Sequence, residues 1–228
     1  MLQSGGLELE GQFTSGSNYT FLVRVDGQLE GVYKPVRGEQ PLWDFPPETL
    51  AGREVAAYLL SEALGWHLVP PTVLRTEGPF GPGSLQLRVQ HDPEQHYFTF
   101  EDAVRQRLRP TAVFDLLANN ADRKGGHILQ GEDGHIWLID HGICFHEEPK
   151  LRTVVWDFAG ESIPPDLLDD VSALQVKLGA GGQLNEQLSA FLSPAELAAL
   201  RQRTDAVLGR PVFPHPPQDE RYMPWPPV

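Results

Sequence analysis

Residues 115–145 read DLLANNADRKGGHILQGEDGHIWLIDHGICF, and this stretch decides the fold. Asp122 stands beside Arg123 and Lys124 in a turn, and Asp140 closes an apolar run eighteen positions later. Ile128-Leu129 and Ile136-Trp137-Leu138-Ile139 flank Glu132-Asp133-Gly134. The pattern predicts loop, strand, tight turn, strand, acidic residue and glycine in that order. One compact unit therefore delivers two carboxylates.

Upstream, the chain is strand-rich around one helix. Residues 19–25 and 29–35 flank Asp26-Gly27, the strongest short hairpin signal. Residues 14–18, Thr-Ser-Gly-Ser-Asn, form a small polar loop whose backbone N–H groups suit an anion. Residues 49–64 carry Leu50, Val55, Leu59, Leu60 and Ala63 on one helical face, with Gly65 placed to end the helix. Residues 69–75 and 84–89 read as two further strands around a Gly/Pro turn. Downstream the pattern is helical: 100–108, then 110–118 opened by Pro110, then a helix preceded by Pro164-Pro165 and running to about Leu178. Gly179–Gly182 is a flexible break, and Ser193-Pro194-Ala195-Glu196 is a capping box that starts a helix ended by Gly209. The proline-rich tail is expected to lie extended across the body with Phe213, Tyr222 and Trp225 docked. The expected fold is α+β with two lobes: residues 1–90 a β-rich small lobe with one main helix, residues 91–228 a mostly helical large lobe.

Composition narrows the partners. With 18 Lys and Arg against 31 Asp and Glu the net charge is −13, and no basic stripe is present to displace counterions from a nucleic acid. The same charge disfavours an anionic membrane surface. No apolar run approaches membrane-spanning length, and the start lacks a secretory pattern. The single cysteine, Cys144, excludes an internal disulfide and fits a cytoplasmic protein.

Phosphoryl transfer needs one carboxylate to accept a hydroxyl proton and another to hold a divalent metal on the phosphates. The run Asn119 to His127, followed by Ile139-Asp140-His141-Gly142, resembles the catalytic loop and metal-binding motif of the phosphatidylinositol 3-/4-kinase-like family. The type II phosphatidylinositol 4-kinases, the HipA-like kinases and short bacterial phosphatidylinositol kinase-like proteins are the relevant comparisons. Tyr33-Lys34-Pro35 and Arg53-Glu54-Val55-Ala56-Ala57-Tyr58 extend the likeness, which runs from about Gly16 to Asp170. The resemblance implies a protein-kinase-like fold and an ATP-dependent phosphotransferase using Mg²⁺. Asp122 is then the base, and Arg123 and Lys124 stabilise charge on the transferred group. Asp140 is a metal ligand. Lys34, held by Glu54 or by Glu48, steadies the phosphates. Gly16, Ser17 and Asn18 form the covering loop, and Leu87 and Val89 lie at the adenine-contacting hinge.

His127 departs from the family, which carries asparagine there as second metal ligand. Imidazole suits Mn²⁺ or Zn²⁺ better than Mg²⁺. The residue reads equally as a histidine packed at a strand start. That substitution and the poor glycine loop motivate an alternative, a nucleotide-binding pseudokinase without transfer. His127, His135, His141 and His146 admit a metal-dependent hydrolase, against which the missing H-x-x-x-H and H-E-x-x-H spacings argue. Cys144 reads as a small buried hydrophobe or a redox switch. The acceptor is open among a protein hydroxyl, a soluble small molecule and a lipid headgroup. Residues 154–158, with Trp156 and Phe158, read as packing or as an acceptor platform.

Overall fold

The computed structural model describes residues 1–13, 18–218 and 221–228. An antiparallel sheet forms from β1 (Leu7–Phe13), β2 (Thr20–Val25), β3 (Leu29–Pro35), β4 (Thr72–Arg75) and β5 (Gly83–Leu87), in the order β1-β2-β3-β5-β4. Asp26 and Gly27 both take positive φ, 48° and 67°, in a three-residue connection whose Gln28 N–H donates to the Val25 carbonyl at 3.0 Å. The Asp26 carboxylate also accepts the Gly6 N–H at 2.7 Å, which pins the start of edge strand β1 to the turn. Strands β4 and β5 are shorter than the sequence predicts. Pro70 and Pro71 cannot donate to a ladder, although the Pro71 carbonyl still accepts from Leu87 N–H at 2.9 Å.

Helix α1 (Leu50–Leu64) ends as expected on Gly65 at φ 74°. Its start is capped from outside, the Glu39 carboxylate accepting the Ala51 N–H at 2.9 Å. The sheet keeps a small core of Phe21, Val23, Val25, Tyr33 and Leu85. Ala56, Ala57, Leu60 and Leu64 of α1 instead join the large core of the helical lobe. Buried Arg53 reinforces that attachment, donating to the Cys144 carbonyl at 2.7 Å and to Glu196 at 2.5 Å.

The helical lobe contains α2 (Asp102–Arg105), α3 (Arg109–Ala118), the hairpin β6 (Ile128–Gln130) and β7 (Ile136–Leu138), α4 (Pro165–Lys177), α5 (Gln183–Leu188) and α6 (Pro194–Gly209). The capping box at α6 is formed: Ser193 Oγ accepts Glu196 N–H at 3.2 Å, and Glu196 accepts Ser193 N–H at 2.8 Å. Helix α5 carries no sequence signal beyond Leu184 and Leu188, which tertiary burial recruits. Of the tail aromatics, Phe213 is docked, whereas Trp225 is 77 % exposed. No helix among the described residues is long and apolar enough to cross a membrane.

Candidate active site

Lys34 reaches out from the end of β3 and joins the two lobes. Its Nζ donates to Glu54 Oε1 at 2.5 Å and to Asp140 Oδ1 at 3.0 Å. Glu54 is held in turn, its second oxygen accepting the His141 N–H at 2.9 Å. Glu48, the other expected partner, is exposed and precedes the helix. Burial alone would lower the Lys34 pKa, but Asp140 and Glu54 outweigh it and hold the ammonium above the ordinary lysine value. In return Lys34 holds Asp140 far below the usual carboxylate range. Asp140 takes φ 61°, a left-handed conformation that aspartate tolerates better than most residues. Its side chain remains half exposed in a cleft also lined by Asn18, Thr20, Ser84, Asp122 and Lys124.

Asp122 faces the same cleft on the loop after α3. Lys124 Nζ stands 3.5 Å from its carboxylate. Burial, helped by repulsion from Asp140, raises the Asp122 pKa to about 6 against the pull of Lys124. Its backbone N–H donates to Asn120 Oδ1 at 2.9 Å, so the loop conformation is fixed from within.

Arg123 points the other way. It is fully buried beneath the loop and pairs with Asp115 at 3.1 Å. Its remaining donors go to the Ile139 carbonyl at 2.9 Å and to His141 Nε2 at 2.8 Å. The expectation that Arg123 meets the transferred group is therefore corrected. Its guanidinium is spent on tying the Asp122 loop to the strand end that carries Asp140, and Lys124 is the loop cation that reaches the cleft. Asp115 also accepts from Thr153 Oγ1 at 3.0 Å and from Asn120 Nδ2 at 3.2 Å.

His127 ends the 3-10 turn Gly125–His127. Its Nδ1 lies 3.0 Å from the Asp122 carbonyl and 3.4 Å from the Lys124 N–H, so either ring tautomer finds a partner there. Its Nε2 lies 3.3 Å from Asp140 Oδ2. Burial lowers the His127 pKa to about 4, against the attraction of Asp140, so the ring is neutral at pH 7. A carboxylate and a neutral imidazole side by side suit a shared divalent cation whose other positions come from phosphate oxygens and water. Among the described residues no group of three or more His, Cys, Asp or Glu could hold a metal ion. The other histidines are dispersed: His135 bonds the His67 carbonyl, His141 bonds Arg123, and His146 bonds the Asp44 carbonyl.

Of the expected covering loop, Gly16 and Ser17 lie outside the described residues, and Asn18 accepts the Gln40 N–H at 2.7 Å. Leu87 and Val89 sit at and just beyond the end of β5, away from the residues lining the cleft. Cys144 is buried and its thiol is pushed well above the ordinary value by burial, which leaves it unreactive. Of residues 154–158, Val154, Val155 and Phe158 are buried, whereas Trp156 is half-buried and Asp157 exposed. Sequence reasoning missed the support roles of Asp115 and Thr153: Asp115 carried the signal of a polar residue on an apolar helix, and Thr153, in an irregular segment, carried none.

No family model matches the chain. Protein Rv2133c of Mycobacterium tuberculosis is 44 % identical over 264 residues, which cover 99 % of this chain and 94 % of that protein. The chain belongs to the Rv2133c family. This Rv2133c relative also matches plant proteins more distantly. Phosphatidylinositol 4-kinase gamma 4 of Oryza sativa subsp. japonica is 34 % identical over 192 residues, covering 68 % of the chain and 34 % of the plant protein. Its Arabidopsis thaliana namesake is 28 % identical over 198 residues, covering 68 % and 35 %. The chain thus spans about a third of the length of those kinases. Among solved structures, the Golgi casein kinase with Mn/ADP bound superposes at a TM-score of 0.62, with 15 % identity, covering 91 % of this chain and 73 % of that one. The Helicobacter pylori proinflammatory kinase CtkA superposes at 0.57, with 12 % identity, covering 93 % and 94 %. This Rv2133c-family chain has an α+β, two-lobed, kinase-like fold.

Proposed function

We propose that the chain is an ATP-dependent phosphotransferase of the phosphatidylinositol 3-/4-kinase-like class, acting on a hydroxyl acceptor. The observation that carries this is Lys34, bridging Glu54 at 2.5 Å and Asp140 at 3.0 Å in the cleft that also holds Asp122. In this reading residues 1–90 supply the phosphate-binding lobe and residues 91–228 the catalytic loop. Lys34, fixed by Glu54, orients the phosphates. Asp140 and His127 hold Mg²⁺ or Mn²⁺, and the imidazole favours Mn²⁺. The metal supplies neutralisation of phosphate charge. Asp122 accepts the acceptor proton, and its raised pKa makes it a better base than an ordinary aspartate near neutral pH. Lys124 stabilises charge near the acceptor, while Arg123 acts by positioning. A cytoplasmic location fits the lone cysteine.

The second reading is a pseudokinase, which the histidine at position 127 favours. A thermal-shift grid of ADP and ATP against Mg²⁺ and Mn²⁺, followed by an ATP-turnover assay, separates the two. Stabilisation by nucleotide and metal together, with turnover, is the expected result. Stabilisation without turnover under any metal would leave the pseudokinase, and no nucleotide effect would remove both.

A further inference from the structure

A second cavity, of about 510 Å³, lies beside the loop that carries Asp122. Lys150, Arg152, His215 and Arg221 line it together with Trp156, and no described Asp or Glu does. Among the described residues this lining is cationic, in a chain of net charge −13. Backbone bonds fix its place. Arg152 N–H donates to the Asn120 carbonyl at 2.8 Å, and Arg123 N–H donates to the Arg152 carbonyl at 3.0 Å. Residue 152 therefore runs alongside the residues that bracket Asp122.

The opposite wall is the C-terminal tail, held against this segment at two points. Thr153 N–H and Trp156 Nε1 both donate to the Tyr222 carbonyl, at 3.1 and 3.3 Å. Gly125 N–H, three residues past Asp122, donates to the Pro227 carbonyl at 2.7 Å. The charge of Arg221 is felt at Asp122, where it opposes the rise in pKa that burial causes. Lys150 is committed elsewhere, to Asp44 at 2.9 Å and Glu148 at 4.0 Å. Arg152 and Arg221 make no ion pair among the described residues.

We propose that this groove is the acceptor site and that it takes a hydroxyl compound bearing a phosphate monoester. This rests on the phosphotransferase reading above. Two guanidinium groups match a compact dianion through forked, charge-assisted hydrogen bonds. The cavity lies within the range of roughly 300–1,000 Å³ typical of small-molecule sites. With the phosphate anchored on Arg152 and Arg221, the acceptor hydroxyl is presented to Asp122. Its proton passes to the Asp122 carboxylate, and its oxygen lone pair forms the new bond to the γ-phosphorus of ATP. The bond from that phosphorus to the bridging oxygen breaks, leaving its electron pair on ADP.

The test is calorimetric titration of the full chain, without nucleotide, using glycerol 3-phosphate, ribose 5-phosphate and glucose 6-phosphate against glycerol, ribose and glucose. The phosphate esters should bind and the neutral compounds should not. Arg152→Glu and Arg221→Glu should each weaken binding by roughly tenfold or more. Both side chains are at least partly solvent-exposed, and unchanged thermal melts would confirm that the variants fold. Vesicles containing phosphatidylinositol 4-phosphate form a second arm: binding there but not to soluble esters assigns the same phosphate chemistry to a lipid source. No phosphate-ester binding at millimolar concentration in either arm, or equal binding by the variants, overturns the proposal. So does binding of an acidic serine peptide in place of the esters. ADP titration with Mn²⁺ is run separately on the same samples. Its failure removes the phosphotransferase reading, whereas its success with a silent groove removes only the acceptor assignment.

Discussion

Arg123 and Lys124 are neighbours in sequence and opposites in structure. Arg123 sits in a closed cluster with Asp115, His141 and the Ile139 carbonyl, where its charge is paired and its donors are used. Lys124 belongs to an open cluster with Asp122, facing a cleft where Lys34 and Asp140 also meet. The closed cluster holds geometry, because a buried ion network is costly to disturb. The open cluster has polar capacity left for ligands and accepts electrostatic tension in return, visible in the raised pKa of Asp122. Damage to the first should appear as lost stability, and damage to the second as lost chemistry.

The largest expected effect breaks the closed cluster. Asp115→Ala strands a fully buried Arg123 and should destabilise the fold by about 3–5 kcal/mol, read by urea denaturation. A loss below about 1 kcal/mol would mean that the cluster is not structural. Asp140→Ala makes the converse prediction. Metal-dependent turnover should fall on the order of 10²–10³-fold or more, while the melting temperature changes little because the side chain is half exposed.

A smaller effect sharpens the contrast at Asp122. Its carboxyl titrates at about 6 in the folded chain, against about 3.9 in an unfolded one. The folded state therefore binds that proton more tightly. The stability this contributes is present below pH ~4 and lost as the pH rises through about 6. Asp122→Asn removes the titration and should add about 1–2 kcal/mol at pH 8 and nothing at pH 4, measured by denaturation at both values. A destabilised Asp122→Asn at pH 8 would contradict the open-cluster assignment. If the phosphotransferase proposal holds, kcat/KM of the native chain should drop below pH about 6 as Asp122 is protonated. The smallest expected effect is at Cys144. Its buried thiol should label only as fast as the protein opens, and oxidants should leave turnover unchanged.

Much of this was legible in the sequence because local chemistry and tertiary need coincided. The Asp26-Gly27 turn, the glycine at 65 and the capping box at Ser193 each specify geometry within a few residues. Asp122, Lys34, Glu54 and Asp140 were legible as an ordered set of charges at strand, helix and loop positions. Arg123 was misread because adjacency says nothing of direction. Whether a loop cation faces the cleft or the interior depends on Asp115, eight residues earlier on α3, turning its carboxylate beneath the loop. Of the groove along residues 149–156, only the platform reading at Trp156 was legible, and its cationic lining was not. It arises where the tail returns to the Asp122 loop through backbone bonds such as Gly125 to Pro227, which side-chain patterns do not encode.

The central claim is that the open cluster transfers phosphate and that Asp122 is its base. The most direct test is single-turnover ATP consumption by the native chain and by Asp122→Asn, with ADP·Mn²⁺ affinity measured on the same samples. The account predicts turnover in the native chain. It predicts a loss of about 10²-fold or more in the variant, with nucleotide affinity unchanged within about twofold. Equal turnover by both proteins would contradict it.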